Sequence, residues 1–95
     1  MNEIVTRTWG TYEVLAEGSN WKLKRLIVNP NSKSSLQRHF KRSEIWFFPN
    51  ISEVIFHKVT EWHQLINTGD KPLEIIELQF GEACEEIDIE RKEEK

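Results

Sequence analysis

The spacing of turn formers constrains this chain most. Glu17-Gly18-Ser19-Asn20, Asn29-Pro30-Asn31-Ser32, Pro49-Asn50 and Asn67-Thr68-Gly69-Asp70-Lys71-Pro72 cut it into short pieces. Gly and Asn tolerate the positive φ of tight turns, and Pro fixes φ and removes a backbone donor. Between these breaks the residues alternate with period 2 and are rich in β-branched and aromatic types, whereas helical periodicity is hard to find. Residues 9–15, 21–28, 34–40, 44–48, 52–58, 63–67 and 73–80 therefore read as strands. The last is the most apolar, with Leu73, Ile75, Ile76, Leu78 and Phe80. Short strands with turn signals about every 8–12 residues predict an all-β, antiparallel sandwich or barrel.

At 95 residues the chain is expected to form a single domain over 1–95 with a modest core. Four Trp and five Phe argue for packing rather than disorder. Residues 82–95 carry seven acids and three bases, so this segment is acidic, while 1–81 is nearly neutral. The segment is expected to be partly flexible: a short helix, or a strand end followed by a frayed tail. A neutral body argues against nucleic-acid binding. The single cysteine, Cys84, reads as a passive thiol in a reducing, cytoplasmic setting. No apolar run approaches the ~20 residues of a membrane span, and no secretory signal is visible.

The most informative stretch is Gln37-Arg38-His39-Phe40-Lys41-Arg42-Ser43-Glu44. On a strand, residues two apart share a face, so Gln37 and His39 project together. Glu44 opens the next strand and can return to that face, and His63 begins a later one. Two imidazoles, a carboxylate and an amide oxygen make a mixed N/O set suited to Zn, Fe, Mn, Co or Ni. The ordinary alternative for each histidine is a hydrogen-bonded structural role.

Further motifs carry a resemblance. Arg7-Thr8-Trp9-Gly10-Thr11-Tyr12-Glu13-Val14-Leu15, Trp21-Lys22-Leu23-Lys24-Arg25-Leu26, Ser35-Leu36-Gln37 and Arg42-Ser43-Glu44-Ile45-Trp46 are among them. Trp62-His63-Gln64-Leu65-Ile66-Asn67, the run from Pro72 to Gln79 and Asp88-Ile89-Glu90-Arg91 complete the set. In this order they resemble the small cupin domain of the type II mannose-6-phosphate isomerase family. That domain also forms the C-terminal part of bifunctional mannose-1-phosphate guanylyltransferase/isomerases. The resemblance implies a cupin-type double-stranded β-helix, or jelly roll, and a divalent metal held by Gln37, His39, Glu44 and His63. The interval from Trp46 to His63 is shorter than the family's by about a hairpin, ~15 residues. A jelly roll shortened in this way has an unpaired edge, which implies pairing with a second copy through a β edge.

The implied activity is aldose–ketose isomerisation of a hexose phosphate, mannose 6-phosphate to fructose 6-phosphate. Lys24 and Arg42 are the expected phosphate ligands, with Trp62 and Arg91 also facing substrate. Lys24, His57 and Glu77 stand as candidates for the general base. Epimerase chemistry of the same fold needs a tyrosine acid, and the only tyrosine, Tyr12, lies on the first strand. The alternative to an enzyme is a non-catalytic cupin that binds sugar or metal or serves dimeric assembly.

Overall fold

The structure is a computed structural model and describes residues 2–92. Its strands are β1 (Ile4–Arg7), β2 (Gly10–Glu17), β3 (Trp21–Val28), β4 (Ser32–Lys33) and β5 (Leu36–Arg38). They continue with β6 (Arg42–Phe48), β7 (Glu53–His57), β8 (Ile66–Asn67), β9 (Leu73–Gly81) and β10 (Glu90–Lys92). Six of them form one antiparallel sheet in the order β1-β2-β3-β9-β6-β7. The pairs β5–β10 and β4–β8 supply the opposing layer, joined by a bridge between Gln37 and His63. The expected all-β double-stranded β-helix is present. No helix among the described residues is long and apolar enough to cross a membrane.

Alternation sets which side chains turn inward. On β9 the buried residues are Ile75, Glu77 and Gln79; on β3 they are Lys24, Leu26 and Val28; on β6 they are Arg42, Glu44 and Trp46. Strand register then sorts them along the barrel. Leu26 lies opposite Ile75, and Val28 opposite Leu73, at one end. Lys24 lies opposite Glu77, and Glu44 opposite Gln79, at the other. The apolar end closes over Leu26, Val28, Trp46, Leu65 and Ile75, with Trp9, Tyr12, Phe48 and Leu73 packed against them. Each fully buried side chain of this kind contributes about 1.5–3 kcal/mol. Such a core is small, and the polar end is the part that folding alone does not explain.

Several expected strands are altered by local hydrogen bonding. The strand expected over 34–40 is confined to Leu36–Arg38, because Ser34 leaves the ladder to bond Leu65 through both its backbone and its hydroxyl. The strand expected over 63–67 shrinks to Ile66–Asn67. There the Asn67 amide spans the Val28 carbonyl at 3.0 Å and the Lys71 carbonyl at 2.8 Å, fixing the loop instead. Pro49 and Asn50 form a turn closed by Ile51 N–H on the Phe48 carbonyl. β1 and β10 are strands that the pattern did not announce: both are short, largely exposed, and held by pairing to β2 and β5. Residues 82–89 are neither helix nor frayed end. They cross the polar end of the barrel before β10, and residues 93–95 of the expected tail lie outside the described part.

Gly10 shows how closely β2 and β3 approach. Its φ is 155°, and a Cβ there would sit 1.9 Å from the Ile27 carbonyl oxygen. Gly10→Ala is expected to lower stability by about 3 kcal/mol or more. Gly69→Ala, whose Cβ would meet only Asn67 Oδ1 at 3.4 Å, should cost less than about 1 kcal/mol. Urea midpoints measure both, and equal midpoints would contradict the close approach.

Candidate metal centre

β6 delivers Glu44 to the barrel interior by alternation, flanked on its own face by Arg42 and Trp46. His39 follows directly on β5, and His63 is brought beside it by reciprocal backbone hydrogen bonds with Gln37, both 2.8 Å. The three side chains are 2–8% exposed. His39 Nε2 lies 3.2 Å from His63 Nε2 and 3.2 Å from Glu44 Oε2, and His63 Nε2 lies 3.4 Å from Glu44 Oε1. One ligand atom from each falls within 4.8 Å of the others. Gln37 lines the same cavity, with its amide nitrogen donating to Ser35 Oγ at 3.0 Å.

The hydrogen bonds decide the tautomers. His39 Nδ1 meets the Asp88 carbonyl at 2.7 Å, and His63 Nδ1 meets the Glu61 carbonyl at 3.0 Å. A carbonyl only accepts, so Nδ1 carries the proton in both rings. Burial lowers the basicity of both, with the Arg42 charge the next cause for His39. Two neutral rings therefore aim their Nε2 lone pairs at one point beside a carboxylate. Three electron-rich groups converging in a buried space repel one another unless a cation lies between them. Ring N–H groups anchored on carbonyls are also how ligating histidines are oriented. The donor set fits a divalent metal.

Arg42 meets part of that demand. Its Nε donates to Glu44 Oε2 at 3.1 Å, its Nη2 to His39 Nε2 at 3.3 Å, and its Nη1 to the Glu85 carbonyl at 3.1 Å. Buried at 6% exposure, it serves the cluster rather than standing free at the cavity mouth. Trp46 Nε1 lies 3.0 Å from both Glu44 Oε1 and Glu77 Oε2. Burial, and then the Glu44 charge, raise Glu77 to about 7, while Lys24 opposes the rise. Gln79 donates to Glu77 Oε1 at 2.8 Å, and its own Oε1 is buried without a partner.

These groups line a cavity of about 370 Å³, the scale of a small-molecule site. Lys24 lines it too, 4% exposed, with Nζ 2.9 Å from Glu86 Oε2 and 4.3 Å from the Tyr12 ring centre. Arg91 lines it from β10. Two expected site residues do not line it. Trp62 follows the opposite direction from its neighbour His63, and Arg38 stacks over its ring at 4.6 Å. His57 packs its ring on His63 at 4.8 Å and edge-on to Trp46 at 4.2 Å, with Nε2 buried and unpartnered. Cys84 is half-buried, and burial pushes its thiol up.

Four participants escaped the sequence reading. Gln79 could have been found, because Glu77 and Gln79 are polar residues two apart on the inward face of the most apolar strand. Arg7 lines the cavity from β1, and Glu86 and the Asp88 carbonyl come from the crossing segment. Those two needed the path of 82–89.

The titrating groups oppose one another. His39, His57 and His63 are held below the ordinary 6.5 by burial. Below that pH the unfolded chain takes protons that the folded chain refuses, so stability is lost in acid. Glu77 keeps its proton up to about 7 when folded and releases it near 4.5 when unfolded, so stability falls as pH rises between those values. Three groups outweigh one below 6.5, and Glu77 remains alone above it. The metal-free protein should be most stable near pH 6.5, declining slightly by pH 7.5, and Glu77→Gln should abolish the decline. Urea midpoints in chelator from pH 5 to 8 check this; a wild-type midpoint still climbing at pH 8 contradicts it.

Comparison with known proteins agrees with this geometry. The profile of the family described as Mannose-6-phosphate isomerase C-terminal matches residues 1–52 and 48–94. The alginate biosynthesis protein AlgA of Pseudomonas aeruginosa is 34% identical over 104 residues, which cover 94% of this chain and 22% of AlgA. The chain thus spans about a fifth of that relative's length. The alignment is also longer than the stretch of this chain that it covers, consistent with a hairpin's worth of missing sequence. A cupin-2 domain protein, Rru_A2000 of Rhodospirillum rubrum, superposes with a TM-score of 0.74 at 16% identity, covering 98% of this chain and 76% of that one. A structure described as a sugar phosphate isomerase from a cupin superfamily, from Silicibacter pomeroyi, gives 0.67 at 13% identity, covering 76% of this chain and 59% of the other. With the profile matched along nearly its whole length, this chain belongs to the mannose-6-phosphate isomerase C-terminal family, as a shortened cupin.

Proposed function

We propose that the chain is a metal-binding cupin that takes a sugar phosphate and interconverts its aldose and ketose forms. The observation that carries this reading is the convergence of two histidine lone pairs and the Glu44 carboxylate at the base of a cavity whose wall holds Lys24. The sugar-phosphate substrate follows from the family and from the printed description of the Silicibacter neighbour.

His39, Glu44 and His63, with Gln37 beside them, would hold the metal, and Arg42 would then keep only its share of Glu44. When bound, a divalent ion would supply Lewis-acid polarisation of substrate oxygens. Lys24 and Arg91 would hold the phosphate, with Glu86 yielding Lys24 to the stronger anion. Glu77 is the group best suited to move a proton. It lies in the cavity wall, within the same buried network as the metal cluster, and without metal its burial and the Glu44 charge raise it to about 7. Trp46 Nε1 and Gln79 Nε2 hold its two oxygens in place.

A second reading is favoured by Arg42. A guanidinium already touching His39 Nε2 and Glu44 Oε2 gives the cluster a cation of its own. On that reading the protein is a metal-free binding module.

Elemental analysis of the purified protein beside a His39→Ala, His63→Ala double variant separates the two. The enzyme reading expects near-stoichiometric metal in the wild type and almost none in the variant. It further expects Glu77→Gln to retain metal while losing isomerase activity by roughly 10²–10⁴-fold. No metal in either protein after incubation with Zn, Mn, Co, Ni and Fe leaves the metal-free module. Lys24→Met should weaken sugar-phosphate binding about tenfold or more with metal content unchanged, as isothermal titration would show.

A further inference from the structure

At Lys24 the cavity already holds an anion of the chain itself. Lys24 Nζ donates to Glu86 Oε2 at 2.9 Å, and Lys22 Nζ stands 3.8 Å from the same oxygen. Lys24 and Glu86 both line the cavity, but they differ in freedom. The Lys24 side chain is 5% exposed and comes from the middle of β3, whereas that of Glu86 is 51% exposed and comes from the crossing segment. That segment is pinned without help from Glu86. Glu82 N–H donates to the Lys41 carbonyl at 2.8 Å, the Glu85 carbonyl accepts from Arg42, and the Asp88 carboxylate accepts from Phe40 and Lys41. Asp88 N–H closes a turn on the Glu85 carbonyl at 3.1 Å, which leaves Glu86 and the exposed Ile87 at its tip. The Glu86 side chain can therefore leave Lys24 by rotation alone, with the backbone on either side in place. Burial raises its carboxyl, but Lys24, Arg42 and Lys22 together bring it below the ordinary carboxylate value, so it is charged at neutral pH.

We propose that Glu86 is a built-in competitor for the anion site: its carboxylate occupies the place of the substrate's charged group on Lys24 and swings towards Lys22 when a more highly charged anion arrives. This rests on the reading of Lys24 as the phosphate-holding residue. An ammonium group buried this deeply needs an anion when the site is empty, and Glu86 supplies one. The consequence is a threshold on ligand charge. A singly charged ligand exchanges one contact for another of equal charge and gains little. A phosphate monoester, close to doubly charged above its second pKa of about 6, keeps a surplus. Lys22 eases the exchange, because the displaced carboxylate moves from one ammonium group to the next. A purely structural ion pair predicts that losing Glu86 weakens ligand binding, whereas a competitor predicts that losing it tightens binding.

Isothermal titration of the purified protein with mannose 6-phosphate and mannose 6-sulfate at pH 7.5 tests this. The wild type is expected to bind the phosphate and to give no measurable binding of the sulfate. Glu86→Gln keeps the size of the side chain and removes its charge. It should bind the phosphate about tenfold more tightly, the order of one hydrogen bond between charged groups, and bring the sulfate into the measurable range. A Lys24→Met, Glu86→Gln double variant should show no such gain over Lys24→Met alone. If circular dichroism shows Glu86→Gln to be unfolded, Glu86→Asp decides: its carboxylate is one methylene too short to keep the contact with Lys24, and phosphate affinity should again rise. Unchanged or weakened phosphate binding in the folded variant overturns the proposal, as does an equal gain in the double variant or a wild type that binds sulfate as tightly as phosphate. Where Lys24→Met still weakens phosphate binding, the phosphate-site reading stands without the competitor. Failure of the wild type and both Glu86 variants to bind mannose 6-phosphate overturns both.

Discussion

Glu44 is 2% exposed, and a carboxylate buried that deeply persists only where its oxygens are met by donors or cations. Trp46 Nε1 meets one oxygen and Arg42 Nε the other. His39 and His63 crowd the same two oxygens with their Nε2 atoms. The demand spreads outward from there. Arg42 also holds the Glu85 carbonyl, and His39 holds the Asp88 carbonyl. Asp88 in turn accepts from the backbone N–H groups of Phe40 and Lys41, 3.0 and 2.9 Å away. One buried charge thus ties β6, the end of β5 and the segment after β9 into a single polar network. Removing it would leave the Arg42 guanidinium buried without its anion.

The shortening of the barrel spares this network. The candidate ligands come from β5, from the residue just after it, from β6, and from a residue bridged to β5. None of them depends on chain beyond β7 at the sheet edge. The missing hairpin changes the edge instead, where β7 is left with apolar side chains in water. A cupin can lose sheet at its rim and keep its centre, because the centre is assembled from cross-strand neighbours and the rim only from the last strand of the series.

Much of this was legible in the sequence. The strands over 21–28, 44–48 and 73–80 follow from alternation and turn formers, since each sits in the middle of the sheet where one face must be apolar or functional. His39 and Glu44 are legible as a pair because they lie a strand turn apart. What escaped depended on competition between local and distant hydrogen bonds. Ser34 and Asn67 break their strands by bonding partners more than 25 residues away. Trp62 was expected beside the substrate on account of its neighbour. Adjacent residues on extended backbone point to opposite sides, however, so His63 facing inward turns Trp62 away. Arg42 was read as a phosphate ligand from its place in a motif. Its burial against Glu44 follows from sharing the inward face of β6.

By itself the sequence determined the all-β class, the family, the inward face of each central strand and the residue types available for chemistry. The class and the inward faces are properties of local spacing, which period-2 alternation carries directly; the family is carried by the order of the motifs. Tertiary structure alone decided which side chains meet. Strand order set Lys24 against Glu77 and Glu44 against Gln79. Carbonyls at Glu61 and Asp88, distant in sequence from one another, chose the tautomer of each histidine. The course of residues 82–89 brought an acidic segment over buried cations. Such facts depend on pairings across tens of residues, and no local pattern encodes those.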